Sequence, residues 1–198
     1  GSGVMELKRI TNLVRTFALG FLVVSCAAYS SELVNFSPEL LKKVEAKWGK
    51  SAVLRLNALR DVVEKNGSKT DEEKIKIVND FFNLIPYYRD IDHWKKDDYW
   101  ATPFEKLTTF GGDCEDYAIA KYFTLRELGV ADGRMRISYV KALEWNEAHM
   151  VLTYASSPRK IPVVLDNLRP EILPANKRKD LVPVYSFNVQ GLWLAKER

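Results

Sequence analysis

Residues 110–117 read Phe110-Gly111-Gly112-Asp113-Cys114-Glu115-Asp116-Tyr117, a glycine turn that leads directly into a helical pattern. The sequence has two cysteines, and the other one, Cys26, lies in an N-terminal segment that resembles a leader. A thiol at the start of a helix is favoured as a thiolate because the helix N-terminus carries partial positive charge. Cys114 is therefore the candidate nucleophile of this chain.

Helical patterns precede Cys114 and strand patterns follow it. Apolar residues recur at helical spacing over 37–66 in two pieces, from Thr70 to Pro86, and over 114–128. Strand-like segments then follow at 135–140, 149–154, 161–166 and 184–187, and a short one at 192–194. We therefore predict an α+β fold in which a central helix, with Cys114 at its N-terminus, packs against an antiparallel sheet.

A histidine and an aspartate lie on two strands that flank a turn. Ser156-Ser157-Pro158-Arg159 is a turn signal, and a hairpin folded symmetrically about the Ser157–Pro158 bond puts His149 directly opposite Asp166. Directly opposed residues share a sheet face with Cβ atoms about 5 Å apart. An aspartate there accepts the imidazole N–H and stabilises the imidazolium. We predict Cys114 as nucleophile, His149 as base and Asp166 as orienting carboxylate, with the thiol directed toward that sheet face.

Other polar features have simpler interpretations. The second histidine, His93, lies in an acidic and aromatic connector over 87–113, and we interpret it as structural or exposed. The run Lys177-Arg178-Lys179 is interpreted as a solvated loop. The formal net charge is only +4, with the two signs interspersed, so we expect no nucleic-acid partner.

The N-terminal residues carry a targeting pattern. Gly1-Ser2-Gly3 resembles a tag remnant, and it is followed by basic residues and then by a short apolar stretch over 17–28 that ends in small residues. This pattern is typical of a secretory signal peptide and is short for a membrane span. We therefore predict a tag remnant and signal or targeting segment over 1–30, and one domain over 31–198 that works outside the cytoplasm. Cys26 lies in a degenerate lipoprotein pattern, so a lipid anchor there is an open alternative.

Three carboxylates surround the candidate nucleophile. Asp113, Glu115 and Asp116 would raise the pKa of a neighbouring thiol and oppose the thiolate. Asp113 and Asp116 fit helix-capping positions, which accounts for part of the cluster. A bound hard cation is the alternative, and calcium takes carboxylate oxygens in irregular geometry.

The motifs Gly111-Gly112-Asp113-Cys114-Glu115-Asp116-Tyr117-Ala118, Ala148-His149-Met150-Val151 and Val164-Leu165-Asp166-Asn167 resemble the bacterial transglutaminase-like cysteine proteinases. The resemblance covers roughly residues 35–195. It implies a papain-like or transglutaminase-like core, a thiol protease with Cys114, His149 and Asp166 as its triad, and dependence on calcium held by Asp113 and Glu115.

Within that family the chain is similar to periplasmic proteases that release surface adhesins. The resemblance implies a large adhesin as substrate, cut near its N-terminus to promote biofilm dispersal. It also implies control by an inner-membrane cyclic-di-GMP receptor whose periplasmic domain sequesters the protease, while the protease itself binds no nucleotide.

Two alternatives remain open at this point. Hydrolysis and acyl transfer to an amine use the same catalytic groups, so a transglutaminase or amidase activity is compatible with the triad. An inactive scaffold that binds a membrane partner through the aromatic connector is the second alternative.

Overall fold

The computed structural model describes residues 33–85 and 114–189. The predicted leader with Cys26, the connector that contains His93, the predicted ligand Asp113 and the short strand predicted at 192–194 lie outside these residues. Within the two described ranges, none of the helices is both long enough and apolar enough to cross a membrane.

Four α-helices are described, and their starts follow the sequence signals. They are α1 (Pro38–Trp48), α2 (Lys50–Asn66), α3 (Asp71–Asn83) and α4 (Cys114–Glu127). The Ser37 side chain accepts a hydrogen bond from the Leu40 N–H and caps α1. Thr70 and Glu73 form a reciprocal capping box at the start of α3. The predicted helices before and including the Cys114 helix are thus confirmed, with ends that differ by a few residues.

The second half of the chain forms one five-stranded antiparallel sheet. Its strands are β1 (Met135–Ala142), β2 (Glu147–Tyr154), β3 (Val163–Leu165), β4 (Leu173–Pro174) and β5 (Leu181–Phe187). Their spatial order is β4-β3-β2-β1-β5. The two-residue strand β4 was not predicted, because a pair of residues is too short to show a period of two.

Helix α4 is the central helix of the core. It packs against α3 on one side and against β1 and β2 on the other. The main hydrophobic cluster joins these elements and α2 through buried side chains that include Leu56, Phe82, Leu125, Ile137 and Leu152. The α+β prediction, with a central helix on an antiparallel sheet, is therefore confirmed.

The opposite face of the sheet carries a smaller cluster. Val140, Val151 and Val164 are buried there, on three neighbouring strands. They lie beneath a cavity of about 750 Å³ whose wall includes Arg178. Because side chains alternate along a strand, neighbouring residues divide between this face and the helix-covered face.

The register of the β2–β3 hairpin differs from the symmetric fold predicted about the Ser157–Pro158 bond. Leu152 pairs with Leu165, which shifts every partner by two residues. The turn is closed by a hydrogen bond from the Lys160 N–H to the Ser157 carbonyl, so Pro158 is the second residue of the turn. Proline is favoured at that position because its φ is already set, and the turn is therefore centred one bond further along the chain.

Strand β5 is the outermost strand at one end of the described sheet. Its middle residues are exposed, and Val184 keeps 65% of its surface in solvent. Its pairing with β1 shifts between Tyr139 and Val140, where Pro183 is the partner of Val140. The strand therefore carries a bulge and a residue without an N–H.

Candidate active site

Cys114 is the first residue of α4, as the sequence predicts. Its side chain is partly buried and packs against the main hydrophobic cluster. Cys114 is the only cysteine within the described residues, and its thiol is not in a disulfide there. Most of α4 is buried, so the position of this thiol is set by the packing of the whole helix.

The structure brings His149 and Asp166 into direct contact. The Nε2 atom of His149 lies 2.7 Å from Oδ1 of Asp166, and the two side chains are 4% and 0% exposed. A shift of two residues keeps a side chain on its original face, so the two remain neighbours in spite of the register change. Because Nε2 is engaged by Asp166, Nδ1 is the ring nitrogen left to exchange a proton with a reacting group.

The Asp166 carboxylate is fixed by further hydrogen bonds. Its Oδ1 also accepts from the Leu168 N–H at 3.0 Å, and its Oδ2 accepts from Nη2 of Arg178 at 2.7 Å. Burial alone would raise the pKa of Asp166, but the hydrogen bond and charge of His149, the Leu168 N–H and Arg178 together lower it to about 2. The carboxylate is therefore ionised throughout the physiological range.

Arg178 is the residue that the sequence interpretation missed. It was assigned to a solvated loop, but its side chain is 3% exposed and is paired with two aspartates. The interpretation was wrong because a charge run carries no period that separates a buried member from its neighbours. The only available signal was Asp180, two residues away, which offers a local partner for a buried cation.

Asn83 supports the same aspartate from the helix layer. Its Nδ2 donates to the Asp166 backbone carbonyl at 2.9 Å, and its Oδ1 accepts from Nζ of Lys121 at 2.8 Å. Lys121 is 1% exposed and lies on α4. The helix that carries Cys114 and the segment that carries Asp166 are thus joined through one asparagine.

The first turn of α4 contains two buried carboxylates. Glu115 is 6% exposed and Asp116 is 0% exposed. Oε1 of Glu115 accepts a hydrogen bond from the Tyr139 hydroxyl at 2.7 Å. Tyr139 is the partner of Met150 on β2, so this contact brings the start of α4 to the level of the residue that follows His149.

The strands nevertheless divide these residues between two faces. His149 is the partner of Val140 in the second-face cluster, whereas Tyr139 and Met150 pack on the helix-covered face. The sequence led us to expect the Cys114 thiol on the same sheet face as His149. The strand alternation instead puts His149 on the face opposite the one that α4 covers. The reason is that α4 covers the face defined by Met150, and His149 belongs to the alternate set.

The donor chemistry at the start of α4 fits a hard cation. Buried carboxylates need a compensating charge or hydrogen bonds, and carboxylate oxygens are ligands that calcium prefers. Of the two predicted ligands, Glu115 is buried here, and Asp113 lies outside the described residues. Within the described ranges, three or more His, Cys, Asp or Glu side chains do not gather into a metal-binding group.

A thiol at the N-terminus of a central helix, with a histidine–aspartate pair on the adjoining sheet, is the arrangement of papain-like and transglutaminase-like enzymes. The family model of the bacterial transglutaminase-like cysteine proteinases matches residues 57–193. The chain belongs to this family and is a cysteine protease.

Within the family the chain is similar to LapG of Legionella pneumophila. One LapG structure is 40% identical, covers 79% of this chain and 86% of its own, and superposes with a TM-score of 0.69. A calcium-bound LapG structure is 40% identical, with coverages of 77% and 84% and a TM-score of 0.68. An EGTA-treated LapG structure gives the same identity and TM-score, with coverages of 77% and 82%. Among curated proteins, none matches this chain.

Proposed function

We propose that Cys114, His149 and Asp166 form the catalytic triad of this protease. The observation that carries the proposal is the buried hydrogen bond of 2.7 Å between His149 Nε2 and Asp166 Oδ1. Its aspartate is ionised, so it can hold the ring orientation and stabilise an imidazolium. In this proposal Nδ1 of His149, the ring nitrogen that Asp166 leaves available, exchanges the proton with the Cys114 thiol.

The proposed chemistry is hydrolysis through a thioester. The Cys114 thiolate attacks the peptide carbonyl, and backbone N–H groups at the start of α4 stabilise the oxyanion. The His149 imidazolium then donates its proton to the leaving amine, which frees the new N-terminus. His149 next takes a proton from water, the hydroxide attacks the thioester and displaces the sulfur as a thiolate, and the thiolate–imidazolium pair is restored.

We further propose that the protein uses calcium, with Asp113 and Glu115 among the ligands. Support comes from the similarity to LapG, for which a calcium-bound and an EGTA-treated structure are known, and from the buried carboxylate of Glu115. A cation there would offset the negative charge beside the thiol and hold the preceding loop against the helix.

The proposed substrate is a large surface adhesin, cut in its N-terminal region so that it leaves the cell. The proposed regulator is the periplasmic domain of an inner-membrane cyclic-di-GMP receptor, and the proposed location is the periplasm. These proposals are supported by the resemblance to adhesin-releasing proteases and by the signal-like segment over 1–30. A receptor that sequesters the protease would couple biofilm dispersal to the cytoplasmic nucleotide without direct nucleotide binding.

The test is mass spectrometry of an adhesin N-terminal fragment incubated with wild type and with Cys114→Ala, each in calcium and in excess EGTA. We expect two fragments only from wild type in calcium. Intact adhesin with wild type in calcium would refute the substrate, cleavage by Cys114→Ala would refute the thiol mechanism, and full activity in EGTA would refute the calcium requirement.

The same incubation separates hydrolysis from acyl transfer. A labelled amine is added at high concentration, and the products are inspected for its incorporation. We expect fragments with free carboxyl termini, because water resolves the thioester. Incorporated label would favour transfer, and binding of the adhesin without either product would favour the inactive scaffold.

A second assay tests the regulator. The receptor's periplasmic domain is added in increasing amounts to the cleavage reaction. Cleavage should fall in proportion to the fraction of protease that co-elutes with that domain, and unchanged cleavage at saturating domain would contradict the proposed control.

A further inference from the structure

Arg178 lies at the centre of a chain of buried charges that ends at the proposed catalytic base. Nη2 of Arg178 donates to Oδ2 of Asp166 at 2.7 Å, and Asp166 in turn contacts Nε2 of His149 at 2.7 Å. The three side chains are 3%, 0% and 4% exposed. Ion pairs with such low exposure are much less weakened by solvent than surface pairs.

We propose that Arg178 is a positioning residue for the reaction: it keeps the Asp166 carboxylate ionised and oriented, so that Asp166 holds the His149 ring in line for proton transfer. This inference rests on the proposed triad and extends it by one residue. Arg178 itself touches neither the sulfur nor the substrate in this proposal.

The guanidinium of Arg178 has a fixed orientation. Nε donates to Oδ1 of Asp180 at 3.0 Å, and Nη2 donates to Oδ2 of the same carboxylate at 2.8 Å. This two-point pairing uses the planar fork of arginine, which a lysine ammonium does not reproduce. The second hydrogen of Nη2 is thereby directed at Asp166.

The Asp166 carboxylate is constrained at both oxygens. Oδ1 is shared between His149 and the Leu168 N–H, and Oδ2 is occupied by Arg178. Without Arg178, Oδ2 would lose this hydrogen bond at a fully buried site, and the carboxylate would be less restrained against rotation away from the imidazole. Burial would then raise the pKa of Asp166 with less to oppose it.

The other charged groups near Asp166 do not replace this cation. Asp180 carries the opposite sign, and Arg169 reaches Asp180 only at 3.9 Å. Lys121 is directed at Asn83, which contacts the backbone carbonyl of Asp166 and not its carboxylate. Arg178 is thus the cation that contacts the carboxylate directly among the described residues.

The test compares Arg178→Met and Arg178→Lys with wild type. The controls are Lys177→Met and Lys179→Met, which remove neighbouring exposed cations of the same run. Two readouts are followed from pH 4 to pH 9: the kcat and KM for the adhesin fragment, and the rate at which iodoacetamide alkylates Cys114. Thermal unfolding reports whether each variant is folded.

For Arg178→Met we expect kcat to fall by roughly tenfold or more with KM unchanged, as for other residues that orient a catalytic group. The acidic limb of kcat/KM should move to higher pH, because Asp166 protonates more easily. Arg178→Lys should recover part of kcat, and both controls should match wild type.

The inference is overturned if the loss of kcat in Arg178→Met is equal at every pH and matches the fraction of that variant that is unfolded. It is also overturned if both Arg178 variants have the kcat and the alkylation rate of wild type. If Arg178→Met does not fold, Arg178→Lys decides alone: a kcat equal to that of wild type overturns the inference. Failure of the triad itself has a different signature, because wild-type Cys114 would then be alkylated as an ordinary thiol, with no reactivity below neutral pH.

Discussion

His149 and Asp166 are joined by a hydrogen bond although they are offset by two residues from direct cross-strand partners. The observed pairs, such as Leu152 with Leu165, extrapolate to a position opposite His149 that lies beyond Asp166. Side chains offset by two residues still share a face and lie within reach of long or aromatic groups. The 2.7 Å contact is therefore a diagonal one, and it depends on Asp166 being held by its own partners.

Asp166→Asn should lower kcat by roughly 10³- to 10⁴-fold, as expected when a histidine loses its orienting carboxylate. An asparagine amide at the Oδ2 position would face the donating Arg178. At the Oδ1 position it would face the Leu168 N–H and force Nε2 of His149 to accept, which is the wrong tautomer. Peptide cleavage kinetics measure the effect, with thermal unfolding as the control for folding. A loss of less than tenfold would contradict the orienting role of Asp166.

Acid should destabilise the protein partly through Asp166. The folded-state pKa of this carboxyl is about 2, below the ordinary value of 3.8. A depressed pKa contributes stability above the unfolded value, and this stability, on the order of 2 kcal/mol, is lost as pH falls from about 4 to 2. The unfolding free energy of wild type should therefore fall more steeply over that range than that of Asp166→Asn. Parallel curves for the two proteins would contradict this prediction.

Tyr139→Phe should weaken calcium binding by a few-fold to about tenfold, because the Tyr139 hydroxyl orients Glu115. Burial and then the hydrogen bond to Glu115 raise the pKa of Tyr139, so the hydroxyl stays a donor at neutral pH. Calorimetric titration with calcium measures the affinity. Tyr185→Phe is the matched control, since that ring stacks on Tyr139 at 5.1 Å and the substitution keeps the stack. Equal calcium affinities in Tyr139→Phe and wild type would contradict the proposal that Glu115 is a calcium ligand.

Asn83→Ala should reduce both stability and turnover. It removes the hydrogen bond to the Asp166 carbonyl and the Oδ1 partner of Lys121, which costs about 1–3 kcal/mol for buried groups. Asn79→Ala is the control, because Asn79 lies one turn earlier on α3 and donates to the Pro170 carbonyl at 3.0 Å. Urea unfolding should show a loss in both variants, whereas kcat should fall clearly only in Asn83→Ala. Equal kcat values would argue against a link from α3 to Asp166.

The sequence predicts the positions of the helices and the local setting of single candidate residues better than it predicts which strand residues pair with each other. Ser37 and Thr70 mark helix starts through local hydrogen bonds, so nearby residues suffice to place them. Cys114 at a helix start and His149 on a strand follow from equally local patterns. The β2–β3 register depends on a single turn, and an error of one bond in its centre shifts every pair by two residues.

Arg178 and Tyr139 could not be assigned from sequence because their roles come from distant partners. Arg178 contacts Asp166 twelve residues away, and Tyr139 contacts Glu115 across 24 residues. Neither of these separations along the chain produces a periodic pattern in the sequence. The face of the sheet occupied by His149 is a similar case, since it follows from which alternate residues α4 covers.

Pro183 has a consequence for how these molecules behave at high concentration. A long, flat outer strand is a template on which a second molecule can add its own strand, and such addition propagates into insoluble aggregates. β5 has exposed apolar side chains, yet Pro183 cannot donate to an added strand and the adjacent bulge bends the ladder. Within the described sheet, this outer strand is thereby protected against zipper-like growth by the same irregularity that breaks its pairing with β1.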